Sequence, residues 1–296
     1  PATRRRGRFR SRRRGRRNCP VQVDYATYRA LPGVNWSTLK HMRVSPLHYR
    51  HARDNPRPDT AALSLGRMVH ARVFEPIRFA SDYVVWPAKN KRRFGKKWDA
   101  FKAEHPGKEI VTEADHDYAQ RIGDALDAHP VAAPYIARGE AEKAFQWTDE
   151  ATGLPCKCRV DFLSASVPAT VDLKTAADIS PYRFAGQVAR LGYHGQGAFY
   201  SDGVAANGHG VLPFVLIAVE SSPPFDVIVY RLDEDSLYAG TEEYRELLTK
   251  VAACTKSGRW PGRFDTEQTL RLPAWVWGDD EEGATEGLEF GDTSEG

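Results

Sequence analysis

The spacing of apolar positions divides the chain into a first half of helical patterns and a second half of β-like runs. STLKHM (37–42) opens with a serine suited to cap a short helix. Ser45 and Pro46 open a second, PLHYRHARD, with proline at the first helical position. A polar break, NPRPDT, leads into LSLGRMVHARVFEP, a helix that Pro76 ends. On it Leu63, Gly66, His70, Val73 and Phe74 share one stripe, so His70 faces inward on an otherwise apolar face. Thr112 is placed to cap another helix running to about His129, where Pro130 stops it.

From residue 143 the period changes. KAFQWTDE (143–150) reads as a strand with ATG as its turn; residues 155–163 and 169–174 read as the next two strands. Ser180 and Pro181 start one long helix on which Gln196 and Tyr200, four apart, lie on the same face. Gly192, Gly195 and Gly197 weaken that helix by roughly 1 kcal/mol each relative to alanine, which is tolerable where a backbone or a ligand approaches closely. LPFVLIAVES has the continuous apolar character of a strand covered on both faces, FDVIVYRL alternates like an outer strand, and residues 234–256 form an amphipathic helix. The order predicts an α/β fold with a mixed central sheet flanked by helices, in which the third strand, the long helix and the buried strand make a βαβ unit. Residues 21–135 form its helical N-terminal part, supplying one wall of a cleft, and residues 136–260 its core.

At 296 residues the chain is long enough for a full hydrophobic core. No apolar run approaches bilayer length and no apolar secretory segment stands at the start, so a cytoplasmic protein without membrane association is expected. Cys156 and Cys158 fit neither a CxxC zinc knuckle nor a redox pair, and with Cys19 and Cys254 the four are too scattered for an iron–sulfur cluster, so reduced, structural thiols are expected. Net charge is only +3, but residues 1–17 hold ten arginines and no acid, while residues 279–296 hold eight acids and no Lys or Arg. Both ends (1–20 and 279–296) have the composition of disordered tails. The basic one is either a phosphate-binding arm or dispensable. Within the body, Lys89, Lys91, Arg92, Arg93, Lys96 and Lys97 surround Phe94 and Trp98. That pattern suits a surface that holds phosphates and stacks bases, and equally a solvated loop.

The chemistry concentrates in residues 156–200. Asp172 and Lys174, one residue apart on a strand, point to the same side. Asp161 ends the preceding run, and the turn between the two strands folds it back beside Asp172. Two carboxylates and an ammonium converging at strand ends suit a divalent cation and an activated water.

An acid, then Asp-X-Lys on the next strand, then a Gln-x3-Tyr helix resembles the PD-(D/E)XK nuclease superfamily, in the branch of RecB nuclease domains and lambda-type exonucleases. LGRMVHARVFEP resembles the Gly-x3-His helix of the RecE-like (exodeoxyribonuclease VIII) family, in which a histidine joins the metal site. WSTLKHMRVSPLHYR, GKKWDAFKAEHPGKEIVT and TGLPCKCRVDFL are similar to further stretches of it, so that the resemblance covers about residues 35–255. It implies His70, Asp161, Asp172 and Lys174 as the active centre. Mg²⁺ (or Mn²⁺) would be held by Asp161, Asp172 and the main-chain carbonyl of Leu173, with His70 as a further ligand. Lys174 would orient the attacking water or stabilise the transition state. Gln196 and Tyr200 would grip the phosphate backbone, with Lys91, Arg92, Arg93, Lys96 and Lys97 as further DNA contacts; simple helix packing is the other reading of the Gln196/Tyr200 pair. The activity implied is 5′→3′ resection of double-stranded DNA ends for phage or prophage-type recombination, alongside a RecT-like annealing protein and with a homo-oligomeric ring as a possible assembly. An endonuclease of the same superfamily and a non-catalytic nucleic-acid-binding protein remain as alternatives.

Overall fold

A computed structural model describes residues 25–273, apart from 57, 59 and 88–91, together with residue 276. The first part holds helices α1 (Tyr25–Ala30), α2 (Trp36–Leu39), α3 (Pro46–Asp54), α4 (Ala61–Phe74) and α5 (Pro76–Asp82), strand β1 (Tyr83–Trp86), α6 (Lys96–Glu104), β2 (Glu109–Thr112), α7 (Glu113–Ala128) and α8 (Ala132–Ile136). The second part holds β3 (Gly139–Thr148), β4 (Pro155–Ser164), β5 (Ala169–Ala176), α9 (Pro181–Leu191), α10 (Tyr193–Val204), β6 (Phe214–Glu220), β7 (Val227–Arg231) and α11 (Glu234–Ser257). Among the described residues, no helix is long and apolar enough to cross a membrane.

The large sheet has the order β3-β4-β5-β6-β7. β5 and β6 run parallel and the other neighbours antiparallel, so β5, α9, α10 and β6 form the expected crossover in a mixed sheet. β6 is buried through Val219, as its unbroken apolar run requires. One face of the sheet (Phe162, Val171, Leu173, Val215, Ile217) packs against α4 and α7 through Met68, Val69, Ile122 and Leu126. The other (Phe145, Trp147, Cys158, Val160) packs against α2, α10 and α11 through Leu39, Phe199, Tyr244 and Leu248. The N-terminal helices therefore share the core of the sheet. The described cysteines are free, with Cys156 and Cys158 buried.

Local signals explain most boundaries. Ser45 Oγ accepts from the His48 N–H ahead of Pro46, and Thr112 Oγ1 accepts from the Asp115 N–H, both as the sequence predicts. Three details differ. The α2 cap is Asn35, whose Oδ1 accepts from the Thr38 N–H, rather than Ser37. A two-stranded parallel sheet, β1 with β2, lies within the part read as helical, because four-residue strands are too short to show a period. The long helix is two helices, divided where Gly192 takes the left-handed conformation (φ 76°) that glycine adopts without strain. Past that break, Gly195 lies so close to the Trp36 indole that a Cβ would come within 2.2 Å of it. The close approach expected at these glycines is made by a neighbouring side chain.

Candidate metal centre

The sheet carries one irregular rung. Glu142 stands opposite Asp161 by the register of β3 and β4, which holds Ala141 to Phe162 on one side and Lys143 to Val160 on the other. Val160 belongs to the core beneath α10, yet Phe162, two residues on, belongs to the core beneath α4; in β3, Phe145 and Ala141 divide in the same way. A regular strand keeps residues two apart on one face. Both strands thus change face at this rung, and Glu142 has a φ of 52°, rare for a residue with a side chain. The two carboxylates emerge where the sheet turns.

α4 brings His70 to them. His70 Nε2 is 3.7 Å from Asp161 Oδ2, and Nδ1 is 3.5 Å from Glu142 Oε1. One donor atom from each of His70, Glu142 and Asp161 lies within 4.8 Å of the other two. The opposite edge of Glu142 meets Arg159, whose Nε lies 2.8 Å from Oε2 in an ion pair. Asp161 Oδ2 also accepts from the Leu173 N–H at 3.0 Å, which ties β4 to β5 just beyond their last paired rung, Phe162 with Val171.

Asp172 and Lys174 share a face, as their spacing requires, and Lys174 Nζ is 2.6 Å from Asp172 Oδ2. Lys174 is held further by the Tyr193 ring, 4.7 Å from Nζ to the centroid. Gln196 donates to Asp172 Oδ1 at 2.7 Å, so in this structure its amide holds the carboxylate. Asp172 is 1 % exposed, against side-chain exposures of 15 % for Asp161, 18 % for Glu142 and 26 % for His70. A solute in the cleft therefore meets the latter three, with Asp172 behind them; Lys174, 19 % exposed, lies outside the lining of the cleft.

The charged groups of the centre shift one another's protonation. Burial by itself would lower the His70 pKa, but Asp161 and then Glu142 outweigh it, and the imidazole is raised to about 8. Burial raises Asp172 above the usual carboxylate range, and the Asp161 charge adds to this while Lys174 opposes it. Burial likewise acts to lower Lys174, yet the Asp172 and Asp161 charges leave it raised, so it is an ammonium at neutral pH. Three carboxylates face two permanent cations, Lys174 and Arg159, so with His70 neutral the centre keeps one negative charge, which is what draws the histidine toward protonation. Hard oxygen donors with one imidazole fit a divalent cation.

The centre lies in a cleft of about 1130 Å³ whose walls include α1, α3 and the start of α4. The inward stripe of α4 is shared: Leu63, Gly66 and His70 line the cleft, while Val73 and Phe74 enter the core. Cations on the cleft wall come from Arg29, Arg53, Arg67, Lys157 and Arg159, and Tyr200 lines it too. Arg92, Arg93, Lys96 and Lys97 are exposed but lie outside this lining, with Arg92 over Phe94 and Arg93 over Trp98; Lys91 falls outside the described residues.

The fold thus groups His70 and Asp161, both picked out by the sequence, with Glu142, which the alternation of the sequence does not signal, and sets the Asp172–Lys174 pair on the next strand; Arg159, likewise not picked out, pairs with Glu142. Glu142 precedes the apolar run that marks the strand from residue 143, so alternation assigns it to no face, although β3 begins at Gly139. The register of the hairpin was the signal: a turn centred on residues 151–152 puts 142 opposite 161.

No curated protein matches this sequence. The family model described as a PDDEXK-like domain of unknown function (DUF3799) matches residues 35–273. Among solved structures, a protein from Eubacterium rectale named "Putative exonuclease" superposes with a TM-score of 0.59 over 87 % of this chain and 98 % of its own, at 18 % identity. At that identity the likeness speaks for the fold.

Proposed function

The chain belongs to the PDDEXK-like domain family (DUF3799), and from that premise we propose that it is a divalent-metal-dependent exodeoxyribonuclease acting on the ends of linear double-stranded DNA. The observation that carries this is the convergence of His70, Glu142 and Asp161 on one cleft with arginines on its walls, backed by the buried Asp172 and its partner Lys174. A DNA-binding surface alone does not need two carboxylates and an imidazole within 4.8 Å of one another, backed by a further buried carboxylate.

Asp161, with His70 and Glu142 on the cleft side and Asp172 and the Leu173 carbonyl behind, would hold Mg²⁺ or Mn²⁺. A divalent cation there neutralises charge on the scissile phosphate and acidifies water at neutral pH. The residues of the chain supply the rest. Lys174, fixed by Asp172 and Tyr193, presents an ammonium toward the charge that builds on the phosphate oxygens. Gln196 keeps Asp172 in the rotamer that orients Lys174. Leu173 N–H keeps Asp161 turned toward His70. Arg29, Arg53 and Tyr200 on the walls are placed to hold the phosphate backbone of the strand. The RecE-like resemblance of the sequence implies that resection would run 5′→3′ and leave single strands for an annealing protein of the RecT kind.

The test is incubation with Mg²⁺ on end-labelled linear duplex and on covalently closed circles, beside an EDTA control and Lys174→Ala. Loss of the 5′ label from linear DNA alone supports the reading. Nicked or linearised circles make the protein an endonuclease. Binding with no cleavage by either protein makes it a DNA-binding module.

A further inference from the structure

Arg159 stands on β4 two residues before Asp161, and its role is not explained by the chemistry above. Its Nε meets Glu142 Oε2 at 2.8 Å, and it is itself fixed beneath α1, with its guanidinium carbon 4.7 Å from the Tyr25 ring centroid and 5.6 Å from that of Tyr28. Glu142 is held on a left-handed backbone, a conformation that persists only where the surroundings enforce it. The ionic partners of Glu142 are Arg159 on one carboxylate oxygen and His70 on the other.

We infer that Arg159 is a positioning residue: its guanidinium holds the Glu142 carboxylate against His70 and Asp161, and so preforms the cation site on the cleft side of the centre. This rests on the metal-centre reading given above. The partners of a metal ligand commonly fix its orientation, and their loss weakens binding though they never touch the ion.

Two effects of Arg159 act in opposite directions, which makes the inference decidable. As a charge, a guanidinium bonded to Glu142 repels an incoming cation, so its removal strengthens binding. As an orienting group it holds Glu142 in place, so its removal weakens binding. A third possibility is that Arg159 only anchors α1 through the two tyrosines, in which case cation binding is indifferent to it.

Mn²⁺ binding to the full-length protein without DNA, read from the loss of the free-ion paramagnetic resonance signal, separates these cases. The positioning role predicts that Arg159→Met raises the Mn²⁺ dissociation constant about tenfold or more, as losses of orienting partners do. Glu142→Gln should do the same, and the double variant should be no weaker than Glu142→Gln alone. Arg159→Lys keeps the charge but not the planar guanidinium fixed over the Tyr25 and Tyr28 rings, so it too should bind Mn²⁺ more weakly. Unchanged or tighter binding in both Arg159 variants overturns the inference while leaving the metal centre standing. No Mn²⁺ binding by the unsubstituted protein overturns both.

Discussion

Glu142 and Asp161 face each other across the rung at which β3 and β4 exchange one side of the sheet for the other. That places two carboxylates beside His70, which a regular hairpin would have pointed into a core or into solvent. If this arrangement exists to hold a cation, binding stabilises the folded state by about 2.7 kcal/mol at a hundredfold excess over the dissociation constant. Thermal unfolding should therefore shift upward with Mn²⁺ in the unsubstituted protein and hardly at all in Asp161→Asn. Equal shifts in both would remove Asp161 from the ligand set.

Lys174 carries a second prediction. Lys174→Met should lower the cleavage rate by about 10² to 10³-fold, the range for loss of one preorganised group stabilising transition-state charge. It also leaves Asp172, 1 % exposed, without its ammonium, and breaking a buried pair costs about 3–5 kcal/mol. The sign with pH follows. The folded-state pKa of Asp172 is already raised by burial, and loss of Lys174 raises it further. The penalty is absent below the unfolded value, about 3.9, grows as pH rises above it and levels off above the folded value. Urea unfolding at pH 5 and pH 8 should show Lys174→Met more destabilised at pH 8, and Asp172→Asn/Lys174→Met should recover most of the loss. A pH-independent loss would count against this account.

The legibility of this centre in the sequence was uneven, for physical reasons. Asp172 and Lys174 were readable because a strand's period of two fixes their common side, and β5 is regular up to them. Asp161 followed from the turn that folds β4 back on β5. His70 was visible as a polar position in an apolar stripe, but its role came only from resemblance, because periodicity cannot separate a ligand from a buried histidine. Glu142 was invisible to alternation, since it sits where alternation fails. The division of α9 from α10 was signalled by Gly192, whose left-handed geometry ended a helix that was read as continuous.

Away from the centre, Glu243 of α11 accepts from Nε and Nη2 of Arg43, and lies 3.3 Å from His194 Nε2. Burial opposes ionisation of this carboxyl, but its bonds to His194 and Arg43 bring its pKa down to about 2. A carboxyl depressed in the folded state contributes stability that is complete above its unfolded value, about 4.3, and is lost as pH falls through about 2. Glu243→Gln should unfold at lower urea than the unsubstituted protein at pH 7, and the gap should narrow between pH 4.5 and pH 2. A gap that stays constant over that interval would show that the ion pairs contribute nothing.

The ten arginines of residues 1–17 bear on affinity rather than chemistry. Each phosphate they neutralise adds about 0.9 to the slope of log K against log salt on duplex DNA. Removing residues 1–17 should flatten that slope in a DNA-binding titration with Ca²⁺ in place of Mg²⁺, while the single-turnover cleavage rate at saturating protein with Mg²⁺ stays within about twofold. An unchanged slope would make the segment dispensable for DNA binding.

The central claim is that the cleft floor is a divalent-metal centre, and crystals soaked in Mn²⁺ test it most directly through anomalous scattering. The account predicts a peak in contact with Asp161 and at least one of His70, Glu142 and Asp172, absent from crystals of Asp161→Asn. An anomalous map with no peak in the cleft, from Mn²⁺-soaked crystals that show peaks elsewhere, would contradict it.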